Sequence, residues 1–89
     1  MNILPCGSVV KIRDKAKKTM IICHKPSVAK KAVFDYGGID IPQGFVNDDE
    51  VVLFDSDQIE KVIFEGYKDE EVEDYLDDIK WLEEKIKNE

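Results

Sequence analysis

The pattern of apolar and polar positions changes its period near residue 67 and divides the chain into two parts. Before this point, short alternating or clustered apolar runs predict β-strands. After it, apolar residues recur at spacings of three and four, which predicts one amphipathic α-helix. The apolar positions of that helix are Val72, Tyr75, Leu76, Ile79, Leu82 and Ile86. We therefore expect an α+β protein, with a small antiparallel sheet followed by a C-terminal helix.

The first half of the β-rich part predicts three strands. Residues 8–13 and 19–24 indicate a hairpin that is closed by the polar residues between them. Residues 30–36 predict a third strand, which we expect to end at Gly37 and Gly38 because glycine weakens strand interiors.

The second half predicts a short extended piece and two further strands. Pro42 and Gly44 indicate a chain reversal. Residues 51–54 and 61–67 predict the fourth and fifth strands, and the intervening residues form one helical turn capped by Asp55 or Ser56. Short connections favour an antiparallel sheet of four or five strands, either a meander or a partly closed barrel.

The chain is short enough for a single domain over residues 1–89, with a β-rich part at 1–67 and the helix at 68–89. We expect Asp69 to cap the helix, and Val72 and Leu76 to pack on the sheet. The strand residues predicted to fill one face of the sheet are Val10, Ile12, Ile21, Val33, Phe34, Leu53, Val62 and Phe64. The aromatic residues predicted to lie in the core are Phe34, Tyr36, Phe45, Phe54 and Phe64.

The end of the helix is the predicted partner-binding surface. A helix of about 19 residues is ~28 Å long, whereas a strand of about five residues spans only ~17 Å, so the last turns should overhang the sheet. The residues assigned to this surface are Trp81, Leu82, Ile86, Asp77, Asp78 and Glu84. Trp81 has two interpretations, either packed across a flank of the sheet or exposed as an anchor for a partner. The partner would be another protein or a second copy of this chain.

Charge argues against nucleic acid as the partner. The net charge is −7, and the acidic residues lie mainly in the second half of the chain, while residues 1–31 are basic. Phosphate backbones generally repel a protein with this balance. No apolar run approaches the ~20 residues of a membrane span, and the first residues do not have the features of a signal peptide. We therefore expect a cytoplasmic protein.

The residues that could support catalysis or metal binding are few. The adjacent strand residues Cys23 and His24 should point to opposite faces, which disfavours a catalytic pair. Together with Cys6 they do not make up a four-ligand zinc set. We expect no catalytic, cofactor-binding or metal-binding residues, and hence no enzyme.

The ordered motifs of the chain resemble a known family. They are Leu4-Pro5-x-Gly7-Ser8-Val9-Val10, Met20-Ile21-Ile22, Phe34-Asp35-Tyr36, Pro42-x-Gly44, Asp49-Glu50 and Val62-x-Phe64-x-Gly66-Tyr67-x-Asp69-Glu70-Glu71. This set resembles the small acidic proteins that were first catalogued as a domain of unknown function. Members of that family are encoded beside LXG toxins in type VII secretion loci of Firmicutes.

This resemblance implies a non-enzymatic accessory protein, an adaptor or chaperone. Such a protein would bind the helical N-terminal region of an LXG toxin and present it for type VII secretion. It implies no cofactor. The alternative is an immunity protein that neutralises a toxin domain, because an acidic surface suits inhibition of a nucleic-acid-degrading enzyme.

Overall fold

The computed structural model describes residues 3–28 and 32–87. Its strands are β1 (Val9–Ile12), β2 (Thr19–His24), β3 (Ser27–Val28), β4 (Ala32–Val33), β5 (Tyr36–Asp40), β6 (Val52–Phe54) and β7 (Ile59–Phe64), and helix α1 follows at Glu70–Lys87. Five strands form one antiparallel sheet in the order β6-β5-β2-β1-β7, and β3 pairs with β4. The predicted α+β class, with an antiparallel sheet and a C-terminal helix, is confirmed.

The chain runs from one edge of the sheet to the other within four residues. β6 is one edge strand and β7 the other, and only residues 55–58 connect them. Three of these form a 3₁₀ turn, Ser56–Gln58, with Asp55 as its N-cap, as the sequence predicts. Because so short a connection spans little distance, the sheet must curl strongly. It is not closed, since β6 and β7 are not paired with each other.

The main core lies on the inner face of this curled sheet. Its buried residues are Val10, Ile12, Ile21, Tyr36 and Phe54. The rings of Tyr36 and Phe54 stack with centroids 5.5 Å apart. Their burial confirms the central part of the predicted core, because these residues lie on β1, β2, β5 and β6 and face one another across the curl.

The predicted burial of three residues in the core is wrong. Phe45, Val62 and Phe64 are exposed, and Phe34 and Leu53 are only half-buried. Val62 and Phe64 belong to β7, an edge strand whose pairing with β1 shifts register twice and whose residues after Ile59 are all exposed. Such irregularities are a common way to prevent edge-to-edge association. The side chain of Val33 lies outside the described residues.

The predicted strand end at Gly37 and Gly38 is also wrong, because both glycines lie inside β5. A Cβ at Gly37 would be 2.5 Å from the Cys23 sulfur, and a Cβ at Gly38 would be 2.6 Å from Thr19 Cγ2. The glycines therefore permit the close approach of β2, which is the other role of glycine in a strand. Residues 30 and 31 of the predicted third strand lie outside the described residues.

Candidate interaction surface and cleft

The N-terminal segment is attached to β2 and supports the helix. Gly7 N–H donates to the Ile21 carbonyl at 2.8 Å, and Ile21 N–H donates to the Ser8 carbonyl at 2.8 Å. The buried Ser8 hydroxyl accepts a 3.0 Å hydrogen bond from Gly66 N–H. Two motifs that are far apart in the sequence, around Gly7 and Gly66, are thus in contact just before the chain enters α1.

Helix α1 begins with the predicted cap. The Asp69 carboxylate accepts hydrogen bonds from Val72 N–H at 2.9 Å and from the Tyr67 hydroxyl at 3.0 Å. These two hydrogen bonds hold the pKa of Asp69 below its usual value, and the bond from Val72 N–H has the larger effect. Three glutamates in the first turn add negative charge where the helix dipole favours it.

One narrow side of α1 faces the rest of the protein. Leu76 is buried with 8% of its surface exposed, and Val72, Ile79 and Glu83 are half-buried. The burial of Leu76 shows that the helix packs within its own chain, whereas the packing of Val72 and Leu76 on the sheet itself stays a prediction. The predicted apolar face is wrong in part, because Tyr75 and Leu82 lie on an exposed flank and a charged residue, Glu83, continues the buried side.

Glu83 is accommodated because a lysine faces it. Lys25 Nζ lies 3.1 Å from Glu83 and 2.7 Å from the Asp35 carboxylate. Asp35 also accepts hydrogen bonds from the backbone N–H and the hydroxyl of Ser56, at 2.8 and 2.9 Å. This polar cluster ties α1, the β2–β5 hairpin and the turn after β6 together.

The cluster shifts the pKa of two of its members. Burial alone would raise the pKa of Asp35, but the hydrogen bonds from Lys25 and Ser56 outweigh it and hold the pKa below its usual value. Burial alone would lower the pKa of Lys25, but the hydrogen bonds to Asp35 and Glu83 outweigh it and raise the pKa.

These shifts predict a loss of stability in acid. The lowered pKa of Asp35 stabilises the folded state above the usual carboxyl pKa of about 4, and this contribution disappears as pH falls through the folded-state pKa. The contribution of Lys25 persists until pH rises above about 10. We expect Asp35→Asn to reduce the slope of unfolding free energy against pH below about pH 4. Urea unfolding across this range measures the slope, and an unchanged slope would contradict the prediction.

The cleft between the N-terminal segment, the end of β2 and α1 has a volume of about 410 Å³. The residues that line it are Pro5, Cys6, His24, Tyr67, Glu71, Val72, Tyr75 and Leu76. His24 is 9% exposed, and its ring contacts Tyr75 edge-on at 5.4 Å. Most of the lining is apolar or aromatic, which is typical of a binding cleft.

The imidazole of His24 contacts two polar groups of the N-terminal segment, one through each of its ring nitrogens. His24 Nε2 lies 2.6 Å from the Leu4 carbonyl oxygen and must therefore carry the proton that it donates. The other ring nitrogen, Nδ1, lies 3.8 Å from the sulfur of Cys6. The sequence indicated no such pair because Cys6 and His24 are 18 positions apart, and only the attachment of the N-terminal segment to β2 brings them together.

The predicted partner-binding residues lie mostly on the free side of α1. Trp81 is 61% exposed and Leu82 39% exposed, which favours the interpretation of Trp81 as an exposed residue. Lys85 Nζ lies 5.1 Å from the centroid of the Trp81 ring. Asp77, Asp78 and Glu84 are exposed beside them. The side chain of Ile86 lies outside the described residues.

Within residues 3–28 and 32–87, no group of three or more histidine, cysteine or acidic residues is arranged to hold a metal ion. None of the described helices has the length and apolar character needed to cross a membrane. The fold and its surfaces define a small α+β protein with an apolar cleft beside a partly exposed acidic helix.

The chain belongs to the family described as "Domain of unknown function (DUF4176)", whose family model matches residues 3–75. The matched part contains the sheet, the residues that line the cleft except Leu76, and the start of α1. Trp81 and Leu82 lie beyond it. No curated protein and no solved structure matches the chain significantly.

Proposed function

We propose that this protein is a non-enzymatic adaptor or chaperone that binds the helical N-terminal region of an LXG toxin for type VII secretion. The observation that carries the proposal is the exposure of Trp81 and Leu82 on a helix whose opposite side is anchored by Leu76 and Glu83. A helix that is held on one side and apolar on another is suited to contact a second helix. The resemblance to proteins encoded beside LXG toxins supports this choice of partner.

The acidic residues around the apolar ones would act mainly on specificity. Asp77, Asp78 and Glu84 are exposed, and exposed charges influence encounter rates and the choice of partner more than affinity. Because the family match ends at residue 75, the part of α1 with these residues lies outside the common region.

A capture experiment with point variants tests this function. The N-terminal helical region of an LXG toxin is immobilised, and the affinities of the wild type, Trp81→Ala and Leu82→Ala are compared. We expect each variant to bind at least ~10-fold more weakly, which corresponds to about 1.4 kcal/mol. Point variants are preferable to a truncation after Asp78, because that truncation also removes Ile79 and Glu83, which are half-buried.

The matched control is Phe45→Ala. Phe45 is 59% exposed, nearly the same as Trp81, but it lies in the loop after β5. This variant should bind as the wild type does. Equal losses in Phe45→Ala and Trp81→Ala would contradict a specific role for the end of α1, and wild-type affinity in both helix variants would exclude the site.

The alternative function is an immunity protein, and the exposed acidic surface of α1 supports it. The same experiment separates the two functions when the C-terminal toxic region is immobilised in parallel. The adaptor should retain the N-terminal region, whereas an immunity protein should retain the toxic region and inhibit its activity.

A further inference from the structure

The two exposed flanks of α1 differ in composition. An α-helix turns by about 100° per residue, which places four exposed residues within an arc of about 60° on the side of the cleft. We call them the cleft flank, and they are Glu71, Tyr75, Asp78 and Leu82. The residues of the opposite flank are all charged: Glu73, Asp77, Lys80 and Glu84. Of these two flanks, only the cleft flank carries exposed apolar side chains.

The cleft flank continues the apolar lining of the cleft along the helix. Glu71 and Tyr75 both line the cleft. Leu82 lies seven residues after Tyr75, which is about 10.5 Å further along the helix axis. Tyr75 is 47% exposed and Leu82 39% exposed. One surface therefore runs from the cleft to Leu82, with two apolar contact points that are one heptad apart.

Both walls of the cleft are held in place within the protein. On the N-terminal side, the Leu4 carbonyl accepts from His24 Nε2–H at 2.6 Å, and the Pro5 carbonyl accepts from Ser8 N–H at 3.2 Å. On the helix side, the ring of Tyr75 contacts His24 edge-on. A groove that is formed before binding loses less conformational entropy when a partner is bound.

The backbone around the cleft favours a helix as the occupant over an extended peptide. Extended peptides bind chiefly by pairing with the free edge of a strand. The N-terminal wall already exchanges hydrogen bonds with β2, through Gly7, Ser8 and Ile21, and α1 bonds its own backbone. Both walls thus offer mainly side chains. A partner helix fits this situation, because its backbone is satisfied internally and its side chains make the contacts.

The acidic residues of the cleft flank determine the charge of the partner. Glu71 and Asp78 lie between the apolar positions, and neither forms an ion pair with another described residue. Acidic side chains on the partner would be repelled by these carboxylates, whereas lysine or arginine would pair with them. The same repulsion argues against a second copy of this chain as the occupant, because its own α1 is acidic.

We propose that the cleft and the cleft flank form one groove for a basic amphipathic helix, whose apolar residues recur seven positions apart beside lysine or arginine. One apolar side chain enters the cleft next to Tyr75, and the following one contacts Leu82. The basic side chains face Glu71 and Asp78. This inference rests on the proposed function, since the helix is assigned to the N-terminal region of the toxin, and it adds the groove to the contact made by Trp81.

Two synthetic helical peptides test the groove without the toxin. They share the same leucines, seven positions apart, and carry either lysines or glutamates beside them. Isothermal titration calorimetry with the full chain should show that the lysine peptide binds at least ~10-fold more tightly, because like charges across an interface are costly. Equal affinities, or no binding of the lysine peptide, would overturn the proposal.

Charge reversal on each flank of α1 locates the binding site. Glu71→Lys should weaken binding of the lysine peptide at least ~10-fold. The matched control is Glu73→Lys, which makes the same change in the same first turn but on the opposite flank, and it should bind as the wild type does. Both variants change the net charge equally. Equal losses would therefore indicate general attraction to an acidic surface and overturn the groove.

Tyr75→Ala tests the apolar part of the groove. It should weaken binding of the lysine peptide by ~10-fold or more, as expected for an aromatic residue at the centre of an interface. An unchanged affinity would overturn the placement of the peptide in the cleft. Sedimentation velocity of the wild type alone tests the other occupant. A dimer that Tyr75→Ala dissociates would assign the groove to a second copy and overturn the proposed partner.

The N-terminal helical region of an LXG toxin separates this inference from the proposed function. Weaker capture of that region by both Glu71→Lys and Tyr75→Ala supports the groove. Capture by both variants at wild-type affinity overturns the groove and leaves the adaptor function standing. Absence of capture by the wild type overturns the adaptor function, and the two peptides then still decide whether the groove binds basic helices.

Discussion

Gly66→Ala should destabilise the protein more than Gly44→Ala or Leu76→Ala. A Cβ at this position would lie 2.4 Å from the Cys6 carbonyl oxygen and 2.8 Å from Ser8 N. Both are backbone atoms of the segment that is bonded to Ile21, so neither can rotate away as a side chain would. We expect a loss of about 3 kcal/mol or more, at or above the upper end for added core atoms. The melting temperature should fall by roughly 12 °C or more in a domain of this size.

Gly44→Ala is the control for the loss of a glycine. Gly44 has a φ of +74°, but nothing lies within 4 Å of its Cβ position. Only the left-handed backbone should resist the substitution, at about 1–2 kcal/mol. Thermal unfolding followed by circular dichroism measures both variants. An effect of Gly66→Ala no larger than that of Gly44→Ala would show that the contact of Gly66 with residues 6–8 is not close.

Leu76→Ala should have the next largest effect, about 2–4 kcal/mol, because Leu76 is the buried anchor of α1. The matched control is Leu82→Ala, the same chemical change in the same helix at a residue that is 39% exposed. This control should change stability by less than about 0.5 kcal/mol. Urea unfolding, with the slope compared between the variants, provides the measurement.

The two leucine variants also separate folding from binding. If Leu82 serves the partner and Leu76 serves the fold, Leu82→Ala should lose capture of the toxin region while it remains as stable as the wild type. Equal stability losses in both variants would mean that Leu82 is part of the packing, and the exposed flank of α1 would then be smaller than the structure shows.

The helix illustrates how far the apolar pattern predicts a surface. Its position, its cap at Asp69 and its buried Leu76 follow from spacing and residue type. The apolar spacing does not predict the rotation of the helix about its own axis, because Glu83 lies on the buried side and Leu82 does not. A charged residue can take that place only where an opposite charge faces it, and Lys25 comes from a distant strand end.

The sequence by itself determined the element types, the antiparallel sheet and the C-terminal helix, since local periodicity and turn residues act over a few positions. The tertiary structure alone decided three further features: that Gly37 and Gly38 lie inside a strand, that β7 is an exposed edge, and that Cys6 meets His24. Each depends on which segments become neighbours. That choice is made by packing between residues far apart in the chain, which no local pattern records.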